Sequence, residues 1–384
     1  MAVSHSPSVR RITHVITGLH TGGAELMLHK LLSGMDRTRF ALSVISLTSP
    51  GPVAEKLRAL DIPVYSLELA RGTPDPRGIL RLLTLLARLR PQVVQTWLYH
   101  ADLLGGIGGK LAFRPKVVWN IRNSTLQAGK TPRLTVLTVG ACARLSRWLP
   151  DKIVCCSEQA RDLHIRWGYD ASRFEVIPNG FDLRAWKPDL EAGMKVRTGL
   201  GIPLEAKVVG LVGRYDPQKD HACFVEAARQ VSHHVPDLHF ILAGDGVTLD
   251  NPELKGLVER TGLLPRFHLL GRRSDLPLLT NAFDLAASSS AYGEAFSNVL
   301  GEAMACGIPC VSTDVGDAAR ILDDTGIVVP PRTPNGLALA MKQLLLLPEA
   351  DRRALGERAR ARVEANFDLA QVVMRYQAVY DALC

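Results

Sequence analysis

At 384 residues, 47% hydrophobic and 22% charged, the chain has ordinary globular composition and length enough for two domains. Its formal charge of +8 is uneven: residues 1–190 hold 26 Lys and Arg against 14 Asp and Glu, and the remainder 20 against 24. No uncharged apolar run reaches the roughly 18–20 residues that cross a bilayer, MAVSHSPSVRR lacks the apolar stretch of a secretory signal, and seven scattered cysteines show no CxxC or zinc spacing. The expectation is a cytoplasmic protein with reduced thiols. The basic first half suits phosphates, nucleic acid or anionic lipid head groups, or is simply a solvated surface.

Short β-rich runs alternate with segments of helical period along the whole chain. Strands are predicted over 12–18, 40–47, 62–69, 91–97, 116–122 and 151–157, with helices over 24–35 and 77–90 among them. The pattern breaks at 178–205, a stretch rich in Pro, Gly and Asp. It restarts with strands over 206–213, 237–244, 267–271, 283–289, 308–313 and 326–331. Such alternation implies an α/β fold with parallel sheets covered by helices on both faces, in two similar halves. Residues 366–384 read as an amphipathic helix.

In the first half, TGLHTGGAELM (17–27) places Gly22 and Gly23 at a helix entrance, where backbone can come close to a ligand. A strand-to-helix turn also needs glycine for steric reasons, and the run is not GxGxxG. TWLYHADLLGG (96–106) puts His100 just past a strand, and Asp102 reads as a helix-start residue that favours the positive end of the dipole. NIRNS (120–124) places Asn120 and Arg122 at the next strand end. Open α/β sheets bind ligands at the carboxyl ends of their strands, so these residues should share one crevice. Ser157 reads as a helix N-cap, and the segment 155–182 as a domain edge and hinge. The arginine- and leucine-rich stretches 77–90 and 133–152, the second with Trp148, fit either an anionic membrane surface or core helices whose arginines reach water.

The second half carries the sharper signals. In GRYDPQKDH (213–221), Arg214 follows a strand and Lys219 opens the next helix, two fixed cations suited to a diphosphate. LAGDGV (242–247) offers Gly244 for close backbone approach, and LLGRRSDL (269–276) offers Arg272, which is either a ligand contact or solvated. In GEAFSNVLGEAMACG (293–307), seven residues separate Glu294 in a turn from Glu302 in a short helix. Strand, tight turn and helix N-terminus form an anion site from first-turn amides, here those of Ala295, Phe296, Ser297 and Asn298. The flanking carboxylates suit vicinal hydroxyls instead. Phosphate and hydroxyls side by side describe a nucleotide-sugar.

This arrangement resembles the signature of retaining glycosyltransferases of family 4, and the resemblance covers nearly the whole chain. It implies a GT-B architecture: two Rossmann-like domains, 1–185 and 186–365, facing an interdomain cleft, with helix 366–384 crossing back to complete the first. It implies that Arg214 and Lys219 hold the leaving diphosphate and that Glu302 holds the ribose. Glu294 would contact the donor sugar, His100 would lie near that sugar, and Gly23 would touch donor and acceptor. The nucleobase would lie near Arg272. The cation pair would replace a divalent metal, so no metal or other cofactor is expected beyond the nucleotide-sugar co-substrate, with UDP as the nucleotide. TWLYHADLLGG and WNIRNS look like the bacterial branch that builds O-antigen, capsule and exopolysaccharide. That implies a glycan or lipid-linked oligosaccharide acceptor and a protein peripheral to the inner membrane face. Arg320 departs from the family pattern, where many relatives carry a glutamate. A nucleotide-sugar epimerase of the same fold and an inactive nucleotide-sugar-binding homologue are the rival readings. No nucleic-acid partner is expected, since few aromatics interleave with the basic residues.

Overall fold

Near-continuous apolar runs such as ITHVI and VVQTW can only be strands covered on both faces, and both are buried along their length. The computed structural model describes residues 9–70, 76–112, 114–124, 126 and 131–384. The first eight residues, on which the expectation of no secretory signal rests, lie outside it. The chain divides into two units, Met1–Gly180 with Leu369–Cys384, and Phe181–Asp368.

The first unit holds strands β1 (Arg10–Ile16), β2 (Phe40–Ser46), β3 (Val64–Ser66), β4 (Val93–Trp97), β5 (Lys116–Ile121), β6 (Lys152–Cys155) and β7 (Phe174–Val176). Its helices begin with α1 (Gly23–Gly34), α2 (Pro52–Arg58) and α3 (Pro76–Leu89). They continue with α4 (Tyr99–Leu111), α5 (Arg133–Leu145) and α6 (Glu158–Arg166). The seven strands form one parallel sheet in the order β3-β2-β1-β4-β5-β6-β7.

The second unit begins with α7 (Leu190–Gly199), β8 (Lys207–Val212), α8 (His221–Ser232), β9 (Leu238–Ala243) and α9 (Pro252–Glu259). There follow β10 (Phe267–Leu269), α10 (Leu276–Thr280), β11 (Leu285–Ser288), α11 (Asn298–Ala305) and β12 (Cys310–Thr313). It ends with α12 (Ala318–Leu322), β13 (Gly326–Val329), α13 (Pro334–Leu345) and α14 (Glu349–Asn366). Its sheet is also parallel, ordered β10-β9-β8-β11-β12-β13. The final helix, α15 (Leu369–Leu383), belongs to the first unit.

Side-chain alternation sorts each sheet into two faces. Ile12, Ile16, Val44, Val93, Trp97 and Val118 pack against α1 and the buried stripe of α15, Val372, Val373, Tyr376 and Tyr380. On the other face Trp119 and Ile153 meet Val139 and Cys142 of α5. In the second unit Val209, Leu211, Phe240 and Leu285 pack with Phe224, Val231 and Met341. Strand β7 was absent from the sequence prediction. At three residues, FEV, it is too short to show alternation, and it pairs only with β6 at the sheet edge. Ser157 caps α6 as expected, accepting a hydrogen bond from Ala160 N at 3.1 Å.

Candidate functional site

Strand order locates the ligand side of each sheet. The connections reverse direction between β8 and β11 in the second unit and between β1 and β4 in the first. At such a switch point, loops leave the two neighbouring strand ends in opposite directions and open a crevice. Arg214 follows β8 and Glu294 follows β11. Gly23 lies beyond β1 and His100 just beyond β4. Each pair therefore flanks the switch point of its own unit.

In the second unit the two loops are laced together. Ser289 Oγ donates to the Lys219 carbonyl at 2.7 Å, and Ala291 N donates to the Gln218 carbonyl at 2.8 Å. This lacing brings Lys219 to Glu294, and their side chains form an ion pair. Ser290 Oγ donates to the same Glu294 oxygen at 3.0 Å. The side chains of Lys219 and Glu294 are only 19% and 13% exposed, so each charge depends on the other. The sequence assigned these residues to different parts of a ligand; the structure makes them one group.

Arg214 is more open. Its Nε donates to Asp216 at 3.1 Å and its Nη2 to Gln218 at 3.4 Å. Burial acts to raise the Asp216 carboxyl, but hydrogen bonds from Gln218 N and Arg214 outweigh it and hold it below the usual carboxylate range. The guanidinium is thus aimed by an ionised carboxylate yet keeps donors for an anion.

Ser297 is the N-cap residue of α11 and makes no side-chain cap; its Oγ is buried with no partner among the described residues. Ala295, Phe296 and Ser297 are buried and Asn298 half-buried. The Phe296 ring stacks near Phe181 and meets Phe367 edge-on, so this side chain is core and only its backbone can serve a ligand. Glu302 lies one turn along α11 from Asn298, half-buried, and lines a small cavity with Gly210, Val212 and Thr280. Gly316, at φ +65°, lets the next loop press on the Glu294–Ala295 backbone, where a Cβ would strike the Glu294 carbonyl.

Gly244 has φ +158°, and a Cβ there would run into the Gly213 carbonyl and lie 2.8 Å from Arg214 N. The close approach this glycine permits is to the backbone that carries Arg214. Gly244 N donates to the Gly271 carbonyl at 2.8 Å, which ties in the third turn. Arg272 beyond it is exposed, while Arg273 is held by Asp275 through bonds of 2.8 and 2.6 Å.

In the first unit, Gly23 is exposed as the first residue of α1. His100 is half-buried in the first turn of α4, and burial lowers its pKa, which favours the neutral imidazole. Of the other residues singled out in this unit, one expectation needs correction, that for Asn120. Asp102 lies in the first turn of α4, as expected of a helix-start residue; it is 1% exposed and accepts a 2.5 Å bond from Thr96 Oγ1. Asn120, expected to line the crevice, is fully buried and donates to Tyr376 of α15 at 3.1 Å. Arg122 is engaged inside the unit, donating to Asn179 and lying 5.3 Å from the centre of the Trp97 ring. Residue-type reasoning overlooked Gln218, Ser289 and Ser290. Gln218 lay inside the GRYDPQK string, whereas the two serines had no signal beyond a strand end. Among the described residues no group of three or more His, Cys, Asp or Glu could hold a metal ion.

Comparison with known proteins agrees with this layout. Residues 206–346 match the family model Glycosyl transferases group 1, and residues 21–185 match Glycosyltransferase Family 4. The chain is 26% identical over 317 residues to the UDP-Gal:alpha-D-GlcNAc-diphosphoundecaprenol alpha-1,3-galactosyltransferase of Escherichia coli, covering 76% of this chain and 79% of that one. It is 33% identical over 256 residues to the D-inositol 3-phosphate glycosyltransferase of Mycobacterium tuberculosis, covering 64% of this chain and 51% of that one. The fold is similar to that of Anabaena HepE in complex with UDP, with a TM-score of 0.84 at 24% identity over 97% of this chain and 100% of that one. Sucrose-phosphate synthase from Thermosynechococcus elongatus gives 0.80 at 20% identity, over 97% and 99%. With one model on each unit and a GT-B fold throughout, the chain belongs to the glycosyltransferases of family 4 and group 1.

Proposed function

We infer that this glycosyltransferase moves a hexosyl or N-acetylhexosaminyl group from a UDP-sugar to a hydroxyl of a lipid-linked glycan, with retention at the anomeric carbon. The observation that carries the reading is the Lys219–Glu294 pair at the switch point of the second unit. A cation for phosphate and a carboxylate for hydroxyls, held in contact, match the place where a sugar joins a diphosphate. Arg214 and Lys219 bind the diphosphate, helped by the amides from Ala295 to Asn298. Glu302 accepts from the ribose hydroxyls and Glu294 from the sugar. The turn at Gly244 supports Arg214, and Arg272 lies on the nucleobase side. His100 stands beside the donor sugar as a group on the reacting side, and Gly23 touches donor and acceptor. The bond from sugar C1 to the UDP oxygen breaks as the acceptor oxygen bonds C1 on the same face. The acceptor proton passes to the departing phosphate, and no metal takes part.

The donor is supported by the UDP and UDP-glucose in the HepE structures. The acceptor is supported by the diphosphoundecaprenol in the name of the E. coli relative. In a thermal-shift panel, UDP-sugars should stabilise the protein above GDP-, ADP- and dTDP-sugars, because binding favours the folded state by mass action. Glu302→Ala should abolish that shift, and an undiminished shift in the variant would remove Glu302 from the site.

A lipid-linked acceptor places the protein at the cytoplasmic membrane face. No helix among the described residues is long and apolar enough to cross it. Helices α3 and α5 contain several arginines and no acidic residue, and Leu80, Leu137 and Trp148 nearby are exposed. That composition fits an anionic head-group layer. The protein should float with vesicles of phosphatidylglycerol and stay behind with pure phosphatidylcholine, and Trp148→Asp should weaken flotation. Equal flotation with both lipids would dismiss the electrostatic part of the contact.

A further inference from the structure

Only Leu98 separates β4 from α4, and its backbone is at φ +74°, ψ 152°. This is a region that side-chain-bearing residues avoid and glycine occupies freely, so a leucine held there is strained. Surrounding bonds must therefore hold the turn. Leu98 N donates to the Asn120 carbonyl at 3.2 Å, and Asp102 N donates to the Leu98 carbonyl at 2.8 Å. The Asp102 carboxyl accepts from Thr96 Oγ1 at 2.5 Å and from Asn120 N at 3.4 Å. One buried side chain thus joins the end of β4, the end of β5 and the first turn of α4. His100 lies inside the loop these bonds close.

We propose that Asp102 is the positioning residue for His100: its carboxyl clamps the strained Leu98 turn and so sets where the imidazole stands. The proposal rests on the reading of His100 as a group on the reacting side. The environment of Asp102 agrees with a clamp rather than a surface charge. Tyr99, Cys142 and Tyr169 face it, and burial pushes its pKa up to about 8 against the two hydrogen bonds. Conserving the geometry should therefore matter more than conserving the charge.

The test combines kinetics with a spectroscopic signature. In Asp102→Ala, kcat for UDP release from UDP-galactose or UDP-glucose should fall about 10²-fold, the scale of a displaced reacting group. The donor KM should stay within about threefold. Asp102→Asn, which keeps an acceptor oxygen, should recover most of the loss. In the free protein, the His100 imidazole NMR signals should shift in Asp102→Ala, with its pKa rising towards the ordinary value as burial loosens. Adding Asp102→Ala to His100→Ala should cost almost nothing further. An equal loss in that background, or unmoved His100 signals, overturns the proposal. If His100→Ala itself leaves kcat intact while its signals still move in Asp102→Ala, the clamp stands and the reading of His100 falls. Should Asp102→Ala fail to fold, Thr96→Val removes the 2.5 Å bond with little change of shape and carries the same comparisons.

Discussion

Lys219→Ala is expected to lower kcat by about 10²–10³-fold, the usual effect of deleting one preorganised donor from a site of growing negative charge. On the proposed reading, charge grows on the diphosphate as the sugar leaves, and Lys219 is placed to meet it. Its carbonyl accepts from Ser289 and its amine is fixed against Glu294. The variant should also bind donor less well, for a separate reason. Glu294, largely buried, loses its counter-charge and repels the incoming phosphates. The two effects separate in Lys219→Ala/Glu294→Gln, which should regain donor affinity while kcat stays low. Steady-state kinetics of UDP release give both numbers, and a kcat within about threefold of the parent would clear Lys219 of the leaving-group role. With the charge assigned to two side-chain cations in the proposed mechanism, activity should survive excess EDTA; loss restored by Mg²⁺ would return the role to a metal.

How much of this was legible in the sequence depends on the range of each interaction. Strands β1, β4, β8 and β9 were readable because buried parallel strands leave unbroken apolar runs. Edge strand β7, at three residues, left none. Arg214, Lys219, Glu294 and Glu302 could be proposed as site residues because each follows a strand end or lies in the helix after it, where residue type and local context agree. Their grouping could not. The ion pair joins residues 75 apart in sequence, and only the strand order that sets β11 beside β8 makes them neighbours. Asn120 was misjudged for the same reason. A strand-end position predicts exposure to ligand, but α15, from the far end of the chain, supplies Tyr376 and covers Asn120. Asp102 was legible as a helix-start acid, but its bonds to Thr96 and Asn120, at two strand ends, were not.

Asp284→Ala is expected to destabilise the second unit by about 3–5 kcal/mol, the scale for removing one partner of a buried ion pair. The Asp284 side chain, 15% exposed, receives Arg197 Nη2 at 2.8 Å, Arg352 Nη2 at 3.4 Å and Val208 N at 2.9 Å. Lys207 Nζ lies 3.8 Å away. These contacts fasten α7, β8 and α14 to the residue just before β11. The arginines are anchored elsewhere too, Arg197 to the carbonyls of Ala282, Leu204 and Ala206, and Arg352 to that of Leu347. They therefore cannot swing into water when the carboxylate is lost, and both remain as buried charges without a counter-ion. For a unit of this size the loss corresponds to a fall in Tm of roughly 6–20 °C. Asp284→Asn should lose nearly as much, since it keeps the Val208 bond but not the charge. The carboxylate stands at the start of β11, and the groups assigned to the donor follow the end of that strand. At temperatures where the variant is folded, kcat should therefore match the parent. Chemical denaturation showing a loss below about 1 kcal/mol would mean that the arginines had found other partners.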